Sequence, residues 1–176
     1  MESILKLGAF LIWPIFFIAS YLLIKSSPHK SSIHSFSYLG SSKENGTKFD
    51  ALLIIAGVFQ IMFLHGYLHL FGLAIVLLMT TSFFGILSGV VRQKGHSLAH
   101  KVICSIGFAL SASGWIMLGL QIIPLNKVLG TLLAVWGIII IPLLLYAVFQ
   151  KKSLLKYELV FFFGAFLTNL TLLTLK

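Results

Sequence analysis

The sequence predicts an all-α, polytopic integral membrane protein, a single bundle of six transmembrane helices, and three observations predict it. Hydrophobic residues make up 59% of the 176 positions and charged residues only 10%, with a mean hydropathy of +1.04, whereas a soluble domain carries about 25% charge. Most of the polar content is gathered into three stretches, at 25–50, 92–101 and 151–158. Between them lie charge-free runs such as Leu70–Val91 and Val102–Ile123, each 22 residues long, close to the ~20 that cross a hydrocarbon layer of ~30 Å as a helix. This leaves one membrane domain and no room for a soluble catalytic domain.

Span one is expected at about 7–24. A secretory signal peptide would need an apolar core of about 7 to 15 residues and a small-x-small cleavage site. Leu7–Ile24 is 18 residues long and is followed by Lys25-Ser26-Ser27-Pro28-His29-Lys30, which meets neither condition. Pro14, beside Trp13, is expected to kink the helix. Asn45-Gly46 in the following serine-rich loop reads as a turn; the chance match of Asn45-Gly46-Thr47 to a glycosylation acceptor carries no weight.

Phe49–Val91 is 43 residues long and has no charge after Asp50, enough for two spans, at about 49–66 and 70–91. The turn between them is expected at His65-Gly66-Tyr67-Leu68-His69, which supplies a glycine and an amphipathic tyrosine suited to the membrane interface. Gly85 and Gly89 form a small-xxx-small pair, expected to let a neighbouring helix approach closely. Span four, at about 102–123, carries a seam of small residues, Ser105, Gly107, Ser111, Ser113 and Gly114, and reads as central. After the turn Pro124-Leu125-Asn126-Lys127, span five, at about 128–149, is Leu/Ile-rich with Pro142 inside it and reads as a wall. Span six, at about 159–175, carries Thr168 and Asn169. With Gln60 and Gln121, Asn169 is read as an interhelical hydrogen-bonding group.

Six spans put the three polar loops on one side, with ten cations: Lys25, Lys30, Lys43, Lys48, Arg92, Lys94, Lys101, Lys151, Lys152 and Lys156. Lys6, Lys127 and Lys176 fall on the other. The positive-inside bias then places the polar loops in the cytoplasm and both termini outside. The formal charge of +9 points to anionic lipid headgroups, which attract juxtamembrane cations at ~1 kcal/mol each, and not to nucleic acid. Arg92, Lys94, Lys101, Lys151 and Lys152 are the expected headgroup contacts. No protein partner is indicated. The single cysteine, Cys104, excludes an intrachain disulfide and reads as a small buried apolar residue.

Two histidine pairs at i, i+4 spacing, His65/His69 and His96/His100, would each turn both rings to one helix face. The topology separates the pairs by about 30 Å, so no joint metal or haem site is expected. His65 and His69 read as interfacial rings closing a hairpin. The inner pair shares its side with His29, His34, Glu44, Asp50 and Glu158. An alternative reading is therefore a metal-dependent, membrane-embedded hydrolase or transferase acting on a lipid, with His34, His96 and His100 as ligands and Asp50 or Glu44 as base. The leading expectation is a non-enzymatic binding, scaffold or sensor component with no cofactor. No Gly-Lys-Ser/Thr phosphate loop, Gly-x-Ser-x-Gly elbow or Cys-x-x-Cys is present, and the spans hold no ionisable group of the kind ion-coupled pumps place near the midplane.

Ser37-Tyr38-Leu39-Gly40, then Asn45 and Phe49 leading into Leu52-Leu53-Ile54-Ile55-Ala56-Gly57, with His100, Phe108 and Ala109 around the start of span four, resemble the membrane family catalogued as domain of unknown function 998. The resemblance covers essentially the whole chain through its six spans. It implies a protein of a prokaryotic cytoplasmic membrane. The family has no established activity, so no catalytic role is implied, and the basic first loop with His29 and His34 departs from its pattern.

The cation asymmetry makes a direct prediction. Reporter fusions after Lys48, Gly95 and Ser153 should report cytoplasm, and fusions after Leu68 and at the C-terminus should report the outside. Reversed signals at Gly95 and Leu68 would overturn the assignment.

Overall fold

A computed structural model describes residues 2–27, 39–40, 45–91, 97–149 and 155–175. Six α-helices account for nearly all of them: α1 (Glu2–Ser26), α2 (Gly46–His65), α3 (Leu68–Val90), α4 (Ser97–Ile122), α5 (Lys127–Phe149) and α6 (Leu155–Thr174). No strand occurs among the described residues. Five helices, α1 to α5, are long and apolar enough to cross a membrane, and α6 is a shorter apolar helix. The chain is a multi-pass membrane protein.

Each helix packs on its neighbours in the chain, and α6 returns to α1, so the packing closes on itself. One end carries the α2–α3 and α4–α5 turns. The opposite end gathers the start of α2, the end of α3 and the starts of α4 and α6. The α2–α3 turn falls on Gly66 and Tyr67, within the expected stretch. Tyr67 itself is buried, with its ring 5.2 Å from that of Phe63, while His65 and His69 are exposed. At the α4–α5 turn the Asn126 side chain caps α5 by accepting from the Leu129 N–H at 3.1 Å.

Prolines do not break these helices: α1 runs through Pro14 and α5 through Pro142. The irregular backbone lies in α3, where Gly72 has φ 37° and ψ −113°. Only glycine adopts such a conformation without steric cost. At the other end of α2, Asn45 is buried. Its side-chain nitrogen donates to the Leu23 carbonyl at 3.1 Å and lies 3.5 Å from Ser26 Oγ, so it ties the start of α2 to the last turn of α1.

The closest helix contact is α4 against α5. A Cβ on Gly130 would lie 2.5 Å from the Ile123 nitrogen and 2.7 Å from the Gly119 carbonyl oxygen, and one on Gly137 would lie 2.7 Å from the Ala112 carbonyl oxygen. Gly130, Ala134 and Gly137 recur at i, i+4 and i+7, so the face of α5 read as a Leu/Ile wall is in part a glycine seam on which two backbones meet. On α4, Gly107, Ser111 and Gly114 are buried, whereas Ser105 and Ser113 are exposed. Gln121, expected between helices, is also exposed.

The Gly85/Gly89 pair divides. A Cβ on Gly89 would touch the Asp50 carbonyl at 3.5 Å and Ile54 and Leu53 at 3.7 Å, which is ordinary contact with α2. A Cβ on Gly85 would meet nothing within 4 Å. One helical turn deeper Gly85 faces a cavity, while beside it α2 and α3 stay in close contact, where a Cβ on Gly57 would lie 2.6 Å from Ile86 Cγ1 and 3.2 Å from the Ser82 carbonyl oxygen.

These geometries give opposite signs for one substitution. Gly85→Ala should raise thermal stability in detergent by up to ~1 kcal/mol, through helix propensity alone. Gly130→Ala should lower it by about 1–3 kcal/mol, because the methyl meets backbone that cannot step aside. Melting both variants against the parent checks this, and equal effects would refute the packing assignment.

Candidate functional site

The cavity beside Gly85 opens between α2, α3, α4 and α6 and encloses about 660 Å³, its mouth included. Most of its wall is apolar, from Phe49, Leu53, Phe84, Ile103, Phe108, Phe161 and Phe162. Its polar end is built by Asp50, His100 and Glu158, which stand near the starts of α2, α4 and α6 and are 7%, 6% and 7% exposed. All three lie in stretches that charge counting assigns to solvated loops. The helices start before the charge-free runs do: α4 begins at Ser97 and α2 at Gly46. Helical phase then turns His100 inward and leaves Lys101 exposed, as it buries Asp50 and leaves Lys48 exposed.

His100 is held in a defined orientation. Its Nδ1 lies 2.7 Å from the Val91 carbonyl oxygen. A carbonyl only accepts, so Nδ1 carries a proton, and in the neutral form of the ring the lone pair falls on Nε2. Nε2 lies 3.5 Å from Cys104 Sγ, one helical turn further along α4. The thiol, half-buried in the cavity wall, donates toward that lone pair. Cys104 is therefore the member of the site that sequence reading passed over. The i, i+4 spacing of His100 and Cys104 was the available signal.

Gly40 also belongs to the wall. A Cβ there would lie 2.9 Å from Asp50 Oδ1, so a residue without a side chain lets the preceding segment press against the carboxylate. A Cβ on Gly46 would in turn collide with the Gly40 carbonyl. Gly40, Phe49, Leu53, His100 and Phe108, all drawn from the motifs quoted above, meet at this one cavity.

A second cavity, of about 540 Å³, lies deeper and shares Leu53, Thr81, Gly85, Phe161 and Phe162 with the first. Its polar lining is uncharged: Gln60, Ser82, Ser111 and Thr168. Gln60 belongs to a buried network. Trp13 Nε1 donates to Gln60 Oε1 at 2.9 Å, Gln60 Nε2 donates to Asn169 Oδ1 at 2.7 Å, and Asn169 Nδ2 donates to Gln60 Oε1 and to the Ala9 carbonyl, both at 2.9 Å. Beside it, Trp115 Nε1 donates to Thr168 Oγ1 at 2.8 Å. Gln60 and Asn169 are thus interhelical links, and together they join α1, α2 and α6.

Of the candidate metal ligands, His100 lies in the cavity with both ring nitrogens engaged, and Asp50 lines the same end. His34, His96 and Glu44 fall outside the described residues, as do the headgroup candidates Arg92, Lys94, Lys151 and Lys152. Among the described residues no group of three His, Cys, Asp or Glu side chains is placed to hold a metal ion. No protein-family model, curated protein or solved structure matches this chain.

The buried network predicts an order of costs. Asn169→Leu strips partners from both ends of the Gln60 amide and should destabilise by about 1–2 kcal/mol. Trp115→Phe removes one bond and should cost about 0.6 kcal/mol. Detergent melting curves check the ranking, and a neutral Asn169→Leu would dissolve the assigned role.

Proposed function

We propose that this chain is a six-span bundle of a prokaryotic cytoplasmic membrane that binds an amphipathic lipid, as a non-enzymatic binding or sensor component. The observation that carries the reading is the cavity: an apolar interior with Asp50, His100 and Glu158 gathered at its polar end. A lipid has that same division, a polar end and an apolar chain, and mostly apolar pockets with a few placed polar groups are the usual form of small-molecule sites. The polar group would lie among the three titratable side chains, and the chain would run past Gly85 toward Gln60.

Counting α6 as the sixth span is supported by its depth. Asp50 to Gln60 on α2 is about 15 Å of helix, and Glu158 to Asn169 on α6 is about 16 Å, at ~1.5 Å per residue. Asp50 and Glu158 share the cavity end, and Gln60 and Asn169 share hydrogen bonds, so the two helices run side by side over the same depth. The end that bears the cavity mouth is then cytoplasmic, where Arg92, Lys94, Lys101, Lys151 and Lys152 would meet anionic headgroups. Membership in the family of domain of unknown function 998 is part of the same proposal, supported by the convergence of its motif residues on the cavity.

Two measurements test the reading. Native mass spectrometry of the purified chain should find lipid retained at about one molecule per chain, and Gly85→Phe, which fills the cavity, should lose most of it while melting like the parent. A parent without retained lipid, or a variant that keeps it, would refute the cavity reading. Separately, Arg92, Lys94 and Lys101 replaced together by Gln should weaken enrichment of anionic lipid around the protein by up to ~3 kcal/mol at low salt, and by less at high salt.

A further inference from the structure

We propose that Cys104 is an acyl acceptor: it takes an acyl group from an ester or thioester and holds it as a thioester whose chain occupies the cavity. The inference rests on the lipid-binding reading and names the chemistry of that same site. Two independent observations carry it.

The first is the geometry around the sulfur. A nucleophilic thiol needs a base within hydrogen-bond reach, and the base needs a third group that fixes its tautomer. Cys104 Sγ, His100 Nε2 and the Val91 carbonyl supply these in order, at 3.5 Å and 2.7 Å. The carbonyl holds the proton on Nδ1, so the nitrogen facing the sulfur is the basic one. A cysteine kept only for packing needs no such partner, and most buried cysteines are inert.

The second is the space in front of the sulfur. Cys104 and His100 line the polar end of the first cavity, and the second cavity adjoins it, with Leu53, Thr81 and Gly85 lining both. Gly85 stands where the two cavities adjoin, and a Cβ there would meet nothing within 4 Å, so the space beside it is unfilled. An acyl group attached at Cys104 would therefore have a trough for its chain within the protein.

The step balances without an oxidant or metal. As the sulfur attacks the acyl carbonyl carbon, the thiol proton passes to His100 Nε2 and a carbon–sulfur bond forms. The bond from that carbon to the leaving oxygen or sulfur breaks, and the imidazolium returns its proton to the departing alkoxide or thiolate. The product is the Cys104 thioester and a free alcohol or thiol.

The test uses the full chain in nanodiscs with p-nitrophenyl dodecanoate as probe. The parent should release a burst of one p-nitrophenolate per chain and gain one hydroxylamine-labile dodecanoyl group at Cys104. His100→Gln should slow the burst by about 10²-fold, and Gly85→Leu should slow dodecanoyl transfer more than acetyl transfer. Offering a phospholipid or a long-chain acyl thioester in place of the probe then separates the two donor classes. Acylation surviving in Cys104→Ser, or an unchanged rate in a His100→Gln variant that melts like the parent, would overturn the proposal. A parent that retains lipid but forms no thioester would sink this inference alone. A parent that accepts acetyl and dodecanoyl equally, with no retained lipid, would sink the cavity reading and leave the thiol chemistry standing.

Discussion

The paired amides of Gln60 and Asn169 are the interaction on which the arrangement of the helices depends. In a hydrocarbon environment a side-chain amide without partners is costly, and here two of them satisfy each other while also taking the Trp13 indole and the Ala9 carbonyl. Three helices are thereby committed to one another at one depth. α6 makes less extensive contact than the helices of the α3–α4–α5 side, so a directional polar link matters more there than on the side where glycines let backbones touch. The molecule thus uses two kinds of cohesion. One side is held by close van der Waals approach at Gly119, Gly130 and Gly137, and the other by a few hydrogen bonds and an aromatic cluster around Phe16.

The cavities lie along the boundary between these two regimes. Phe161 belongs to the larger core, Phe162 packs against both that core and the one around Phe16, and both rings line both cavities. A helix held by hydrogen bonds at one level and by rings at another leaves gaps between those levels. Gly85 contributes by having no side chain to fill one.

The positions of the apolar helices are legible in the sequence because exclusion of charge from hydrocarbon is a strong, local and additive signal. The turns at Gly66-Tyr67 and around Asn126 follow from the same count. The candidate site is hidden by that count, since a charge marks the edge of a run without saying which way it points. His100 and Lys101 differ by one step of about 100° around α4, and that step separates a buried ring from an exposed amine. Asp50 and Glu158 are concealed in the same way. The α4–α5 seam escapes because Gly130, Ala134 and Gly137 acquire meaning only once the partner helix is known. Gly85 reads as a contact because spacing along one helix carries no information about which of its faces meets a neighbour and which faces a cavity.

The bond from Asn45 to the end of α1 bears on how this protein can change over time. Both ends of the long polar connection between α1 and α2 are pinned within one hydrogen bond of each other, so the helices do not rely on the residues between to set their spacing. Closing such a loop costs free energy that rises only with the logarithm of its length, about 0.6 kcal/mol for each doubling. Lengthening the connection between Ser27 and Leu39 therefore adds little to the chain entropy of closing it, while Leu39 and Gly40, which pack against the core, are fixed in register with Asp50.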